Sequence, residues 1–411
     1  MCIYGISVGK WHLGLTPDSK PIQRGFDETL GFDIISRYLP YGYPSAACTF
    51  PDFFDRYLWA NIRYEVSKDN GPFFAPEGYL TDYLANEAAK AIHINKDHPF
   101  FMYVAFTSMH TPLEALPSDY KAVEALETIH GYAKDEPRMS HCQKVYGAMI
   151  LALDRAVGTI LKAIDAAGVA EDTIVIFTND NGAPLIFPNL NTPYRGGKAN
   201  LFDGGVRVPL LVRWPAMGKG GAGERMEESS SEAGLHALLE DQQRDVGIEV
   251  ESMVSHLDLF PSIMEAAGAV SPGEKPLDGS SLLPLMRACA DAAHTVGTGH
   301  GKCTVGGGHN ELFWRSGHYM ALRKGKWKLQ VSGRPQKMWL YDMEVDPGEK
   351  NNLAGESEYQ EKLHEMIMLL HAENSTHSEP LWPALSETPL LIDKLFHDHY
   401  VPGDEYIYWP N

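Results

Sequence analysis

The chain has 411 residues, a formal net charge of −19, 44% hydrophobic residues and 22% charged residues. That length exceeds one small core and predicts a large and a small domain. The acidic balance excludes nucleic acid as a partner, because binding phosphate backbones needs a basic surface. An anion bound by such a chain must be held locally, by a few Lys, Arg and His side chains in a pocket. No run of about 18 apolar residues is present to span a membrane. Met1-Cys2-Ile3-Tyr4-Gly5 lacks the basic and apolar regions of a signal peptide. Cys2, Cys48, Cys142, Cys289 and Cys303 have no C-x-x-C spacing. An odd, sparse set predicts no disulfide framework and leaves the redox compartment open.

Residues 1–50 are rich in Gly, Pro and aromatics and read mostly as loop. A helix is predicted over 81–94, with Leu84, Ala88 and Ala91 on one face. The continuous apolar run 100–106 suits a strand buried on both faces of a parallel sheet. A long helix follows over 145–167, with Val145, Met149, Leu153, Val157, Ile160 and Ile164 on one stripe and Gly168 at its end. Strands are predicted over 173–177 and 206–214, the second at an edge or bulge because of Pro209. Residues 217–249, rich in Gly, Ser and acidic residues, read as a solvated insertion. A helix over 257–267 is followed by a linker-like stretch, 288–310. Closely spaced strands (311–314, 319–323, 327–331, 339–342) and a helix (359–370) then make a small α+β domain. The alternation of strand and helix predicts an α/β domain over 1–287, with a mostly parallel sheet between helices, and an α+β domain over 288–411.

Four short segments carry candidate chemistry. Asp180-Asn181-Gly182 lies at the C-terminal end of a predicted strand, where open α/β sheets place ligands. Asp180 and Asn181 offer hard oxygen ligands for Ca²⁺ or Mg²⁺, although the same tripeptide is strong turn chemistry. In Arg195-Gly196-Gly197-Lys198 the glycines let backbone approach an anion and Lys198 supplies a compact charge; the alternative is a surface loop with a solvated Lys. In Lys10-Trp11-His12, an extended backbone would put Lys10 and His12 on one side; the alternative is a Trp anchor with exposed neighbours. His110, in a proline-stiffened loop just past the strand 100–106, is placed for acid/base work, although a lone His is more often structural. His110 and Asp180-Asn181 both follow predicted buried strands and are expected to open on one sheet edge. Together, a cation site, two lysines and two histidines make a pocket for a divalent oxyanion ester.

With these residues in place the sequence resembles the sulfatase family, in its arylsulfatase-like branch of the alkaline-phosphatase-like superfamily. The matching segments are GKWHLG at 9–14, RGFD at 24–27, HTP at 110–112, TNDNG at 178–182, RGGK at 195–198, GGVRVP at 204–209, HLDLFP at 256–261, and LYD at 340–342 with DPGE at 346–349 and NNL at 351–353. They occur in family order. The resemblance implies an α/β/α sandwich and hydrolysis of sulfate esters on small molecules or glycans. It implies calcium ligands at Asp180 and Asn181, and a Lys198 that grips sulfate and faces the leaving oxygen. His110 would assist departure of the leaving group, while Lys10 and His12 would steady the nucleophile and the anion. Family members also carry two aspartates on a first strand and a C-x-P-S-R or S-x-P-S-R segment whose Cys or Ser becomes formylglycine. No such segment occurs among the 411 residues. The chain is therefore read as an N-terminally truncated member, without the nucleophile, with weak metal binding and with an exposed sheet edge; the alternatives are a catalytically inactive anion-binding fragment and a phosphatase or phosphodiesterase relative. The family implies a periplasmic or secreted location.

Overall fold

The computed structural model describes residues 3–50, 53–126, 137–218, 247–270, 273, 275–296, 302–303, 306–381, 384, 387–396 and 398–410. Most of the predicted insertion over 217–249 therefore lies outside the described residues. The chain divides into two compact units: 1–175 with 184–190 and 394–403, and 176–183 with 191–393 and 404–411. No helix among the described residues is long and apolar enough to cross a membrane.

The first unit is built on a five-stranded sheet. Its strands are β1 (Tyr4–Lys10), β2 (Glu28–Phe32), β3 (Val66–Lys68), β4 (Phe73–Phe74) and β5 (Phe100–Ala105), in the order β4-β3-β2-β1-β5. β1 pairs in parallel with β2, Lys10 beside Phe32, and with β5, Gly9 beside Ala105. β3 and β4 add antiparallel pairs at the other edge. Helix α1 (Leu80–Asn95) lays Leu80, Leu84, Ala88 and Ala91 against Ile6, Val8, Leu30, Phe32 and Val66 of the sheet. Helix α2 (Pro137–Ala166) buries Val145, Ala148, Met149 and Ala152 in a second cluster with Tyr38, Leu39, Leu113, Ala115 and Phe187.

Three strands thus occupy residues 1–50, where loop was expected: β1, β2 and a short one at Ala46–Cys48 that pairs with Leu113–Ala115. Gly5, Ser7 and Gly9 interrupt the apolar pattern of β1. Yet residues 5–9 are all buried, as a central parallel strand covered on both faces requires.

The second unit begins around β6 (Val175–Thr178), which pairs with β7 (Leu210–Arg213) in a separate two-stranded sheet. β7 starts just past Pro209, whose carbonyl accepts the Thr178 hydroxyl at 2.9 Å. The short helix α3 (Leu259–Ala266) follows a capping box in which the Ser255 hydroxyl accepts the Leu257 N–H and the Asp258 carboxylate accepts the Ser255 N–H. Helix α4 (Leu283–Val296) runs into the stretch expected to be linker as far as residue 296, anchored by the buried Leu283 and Leu285 before that stretch and Cys289 within it.

A four-stranded antiparallel sheet follows, β8 (Glu311–Ser316), β9 (Tyr319–Lys324), β10 (Trp327–Gly333) and β11 (Gln336–Asp342), in that order. One of its faces packs Leu322, Leu329 and Leu340 on Leu363, Met366 and Leu370 of α5 (Gln360–Asn374). A second cluster gathers Phe202, Tyr319, Trp339 and Tyr341 with Ile392 and Ile407, next to the hairpin β12 (Glu387–Leu391) and β13 (Tyr406–Pro410).

The cysteines correct another expectation. Cys48 is bonded to Cys142 and Cys289 to Cys303. The first pair is separated by 94 residues, so spacing alone could not reveal it.

Candidate anion and metal site residues

In the first unit the parallel strands end where ligands are usually met. Lys10 is the last residue of β1, and His110 follows β5 at the same C-terminal edge. Beyond Lys10 the chain leaves the strand: Trp11 donates its N–H to the Phe32 carbonyl at 3.0 Å, and His12 donates to the Asp33 carbonyl at 2.5 Å. His12 has φ +54°. The alternation that would place Lys10 and His12 on one side therefore does not apply. Trp11 anchors the segment, its indole N–H donating to the Ser19 carbonyl at 2.7 Å and its ring meeting Phe26 edge-on.

The loop around His110 is tightly held. The His110 N–H donates to the Thr107 carbonyl at 2.8 Å. The buried Tyr38 hydroxyl lies 2.8 Å from that carbonyl and 3.0 Å from the His110 carbonyl. Burial pushes the Tyr38 phenol far up, so it remains a donor. The His110 ring sets Nδ1 2.6 Å from the Thr111 carbonyl. A carbonyl can only accept, which keeps a proton on Nδ1 and leaves the lone pair of a neutral ring on Nε2.

In the second unit three of the sequence-derived residues come together. The Asp180 carboxylate accepts the Asn181 N–H at 2.9 Å and the Asn181 amide at 2.8 Å. The turn and the following loop are locked by close backbone approach. A Cβ on Gly182 would stand 1.8 Å from the Gly204 carbonyl oxygen, and one on Gly204 would stand 2.5 Å from those of Arg195 and Gly196. Lys198 donates its N–H to the Ala183 carbonyl at 3.1 Å, next to the TNDNG turn. Its half-buried amine is held below the usual lysine range by burial, while Asp180 pulls the other way.

Several supporting residues carried no sequence signal. Asn191 accepts the Ala183 N–H at 2.9 Å and donates to the carbonyls of Ala183, at 2.9 Å, and Gly196, at 3.0 Å, tying turn to loop. Arg195, read only as a flank of the glycines, points away from the loop. It pairs bidentately with Asp393 and also with Glu405, lies over Phe202, and donates to Tyr341 Oη at 3.0 Å.

One expectation is corrected. β5 belongs to the five-stranded sheet and β6 pairs with β7, so His110 and Asp180-Asn181 do not follow strands of one sheet.

The metal reading meets a limit of donor count. Asp180 and Asn181 are one carboxylate and one amide, turned on each other. No cluster of three or more His, Cys, Asp or Glu suited to a metal exists among the described residues. Calcium takes about six to eight oxygens. Asp180 and Asn181 would supply two of those donors.

Comparison with known proteins gives the family. The sulfatase family model matches residues 4–269, and the chain belongs to the sulfatase family. It is 28% identical over 322 residues to a steryl-sulfatase of Rattus norvegicus, covering 76% of this chain and 42% of that protein. It is 25% identical over 413 residues to an N-acetylgalactosamine-6-sulfatase of Mus musculus, covering 96% of this chain and 66% of that protein. Among solved structures, Ps i-CgsB superposes with a TM-score of 0.66 at 25% identity, over 92% of this chain and 73% of that one. The same protein has been solved in complex with k-i-k-neocarrahexaose. PsFucS1 sulfatase from Pseudoalteromonas sp., at 17% identity and a TM-score of 0.60, shares the fold, covering 91% of this chain and 70% of that one. The architecture is the alkaline-phosphatase-like one that the motifs implied, with the small antiparallel sheet following in the chain. The chain spans between about two fifths and two thirds of the two mammalian relatives.

Proposed function

We propose that this chain is the anion-handling part of a sulfuric ester hydrolase of the arylsulfatase type. The observation that carries this reading is Lys198: a half-buried amine, on a loop closed by glycine contacts, next to Asp180. A half-buried cation attracts a divalent oxyanion more strongly than a fully solvated one. His110 suits the leaving oxygen, because its Nδ1 is occupied by the Thr111 carbonyl and proton traffic falls to Nε2. Lys10 and His12 are assigned to holding the anion and steadying the nucleophile.

For the full-length protein the reading extends to the calcium- and formylglycine-dependent chemistry of the family. To that chemistry residues 1–411 would bring Asp180 and Asn181 as two metal ligands and no formylglycine segment. Relatives that act on or hold sulfated sugars favour a sulfated glycan as substrate, with a small sulfate ester as the alternative. Two disulfides favour an oxidising compartment, periplasmic or extracellular.

The donor count at Asp180 and Asn181 supports a second reading: an anion-binding protein without turnover. Both readings are tested together. Inorganic sulfate should raise the thermal midpoint of the protein, and Lys198→Ala should abolish that rise. Sulfate release from an aryl sulfate and from a sulfated carrageenan hexasaccharide should occur with the full-length protein and fall in His110→Ala. A wild-type protein indifferent to sulfate sinks the proposal. Sulfate binding with no release by the full-length protein selects the second reading.

A further inference from the structure

The loop that carries Lys198 meets residues far along the chain. A few positions beyond it, the loop is pinned by two backbone N–H groups: Leu201 donates to Tyr319 Oη at 3.1 Å, and Asp203 donates to Glu349 Oε2 at 2.6 Å. Behind those contacts lies a charged cluster. Lys328 Nζ lies 2.6 Å from Asp203 Oδ1 and 2.9 Å from Glu349 Oε1. The side chains of Lys328 and Glu349 are 0% exposed and that of Asp203 4%. Gln330 donates to Glu349 Oε1 at 2.9 Å and is bonded in turn to the Tyr319 hydroxyl. Asp203 Oδ2 has no hydrogen-bond partner and stands 3.7 Å and 3.8 Å from the guanidinium groups of Arg207 and Arg323.

Burying two carboxylates and an ammonium is a poor way to gain stability. Each ion loses its hydration, and well-packed apolar residues often serve as well. What such a cluster can supply is specificity, by favouring the arrangement of loop and sheet in which its charges are paired. The loop concerned is the one that carries Lys198.

We propose that Lys328, Asp203 and Glu349, seconded by Tyr319, are positioning residues that fix Lys198 for anion binding, so that the four-stranded antiparallel sheet is part of the anion-binding apparatus. This rests on the reading of Lys198 as the sulfate-binding lysine.

The test uses inorganic sulfate as probe, with calorimetric titration across pH on wild type, Lys198→Ala, Lys328→Met, Lys328→Arg and Tyr319→Phe. Lys328→Met should weaken sulfate binding at least ten-fold and shift the pH at which binding fades, because Lys198 then sits in altered surroundings. Lys328→Arg should recover part of the affinity. Tyr319→Phe, which removes one hydroxyl from a folded protein, should weaken binding several-fold and decides the matter if Lys328→Met does not fold. Lys328→Met and Tyr319→Phe proteins that bind sulfate as wild type does, with an unshifted pH profile, overturn the proposal. Wild-type binding that persists in Lys198→Ala instead overturns the underlying reading of Lys198, and is recognisable as such.

Discussion

At the scale of single residues, the chemistry turns on groups whose surroundings set their charge. Burial holds the Lys198 amine below the 10.5 of an exposed lysine. Sulfate binds the charged form, so affinity should fall as pH rises through that lowered value, earlier than for a solvated lysine. In the sulfate-free protein the sign reverses. A depressed pKa contributes stability that is present above the unfolded value and lost as pH falls through the folded one. Stabilisation by sulfate should therefore be larger at neutral pH than in the alkaline range, as thermal melts in matched buffers would reveal. Gly204 gives a steric prediction. The Cβ of Gly204→Ala would meet two carbonyl oxygens at 2.5 Å, at the upper end of the roughly 1–3 kcal/mol that overpacking costs. Urea titration would measure the loss, and sulfate binding should go with it.

Arg37 and Glu114 form a buried pair at 2.7 Å. Glu114→Gln would leave the guanidinium without its counter-charge, at about 3–5 kcal/mol, unless Tyr41 and Trp59, which flank Arg37, compensate. A drop in the denaturation midpoint well under that range would show that the aromatic contacts suffice. The sequence exposed Lys198, Asp180 and Asn181 because they sit in recognisable strings. It hid Asn191, Asp203 and Lys328 and gave Glu349, although part of the DPGE string, no role, since nothing in a one-dimensional pattern says that a lysine 125 residues away meets Asp203.

At the scale of elements, the long apolar segments were legible and the small-residue ones were not. α1, β5 and α2 follow from periodicity or from a continuous apolar run. β1 escaped because glycine and serine lower the apparent strand signal, though they are what lets neighbouring strands approach. The second half of α4 escaped because its alanines, threonine and histidine give no apolar stripe, the buried leucines lying in its first turn. The disulfides belong to this scale too, as they tie elements together. Denatured but unreduced protein should titrate about one thiol, and reduced protein all five cysteines. In the loop-entropy account, the Cys48–Cys142 link over 94 residues contributes about 4–5 kcal/mol, and the Cys289–Cys303 link over 14 residues about 3 kcal/mol. Replacing the first pair by serines should therefore lower the thermal midpoint more than replacing the second. The reverse order would show that strain or residual structure dominates.

At the scale of the whole molecule, a charge of −19 surrounds a set of residues proposed to take anions. Long-range repulsion should slow the approach of a sulfated oligosaccharide. Its association rate should then rise as salt increases from low to physiological strength, opposite to the behaviour of nucleic-acid binders. Stopped-flow measurements with a sulfated carrageenan hexasaccharide would show the sign directly. A rate falling steeply with salt would mean that local positive charge overrides the global field.

The contact between Asp203 and Glu349 spans 146 residues. During synthesis at about 5–20 residues per second, the Lys198 loop emerges from the ribosome roughly 7–30 s before its partner exists. For that interval the Asp203 N–H lacks its native acceptor, and for a shorter one, set by 118 residues, so does the Leu201 N–H. A translational pause, or a chaperone able to shield residues 195–206 while the later sheet is made, would thus have more influence on the yield of binding-competent protein than on the yield of folded first unit.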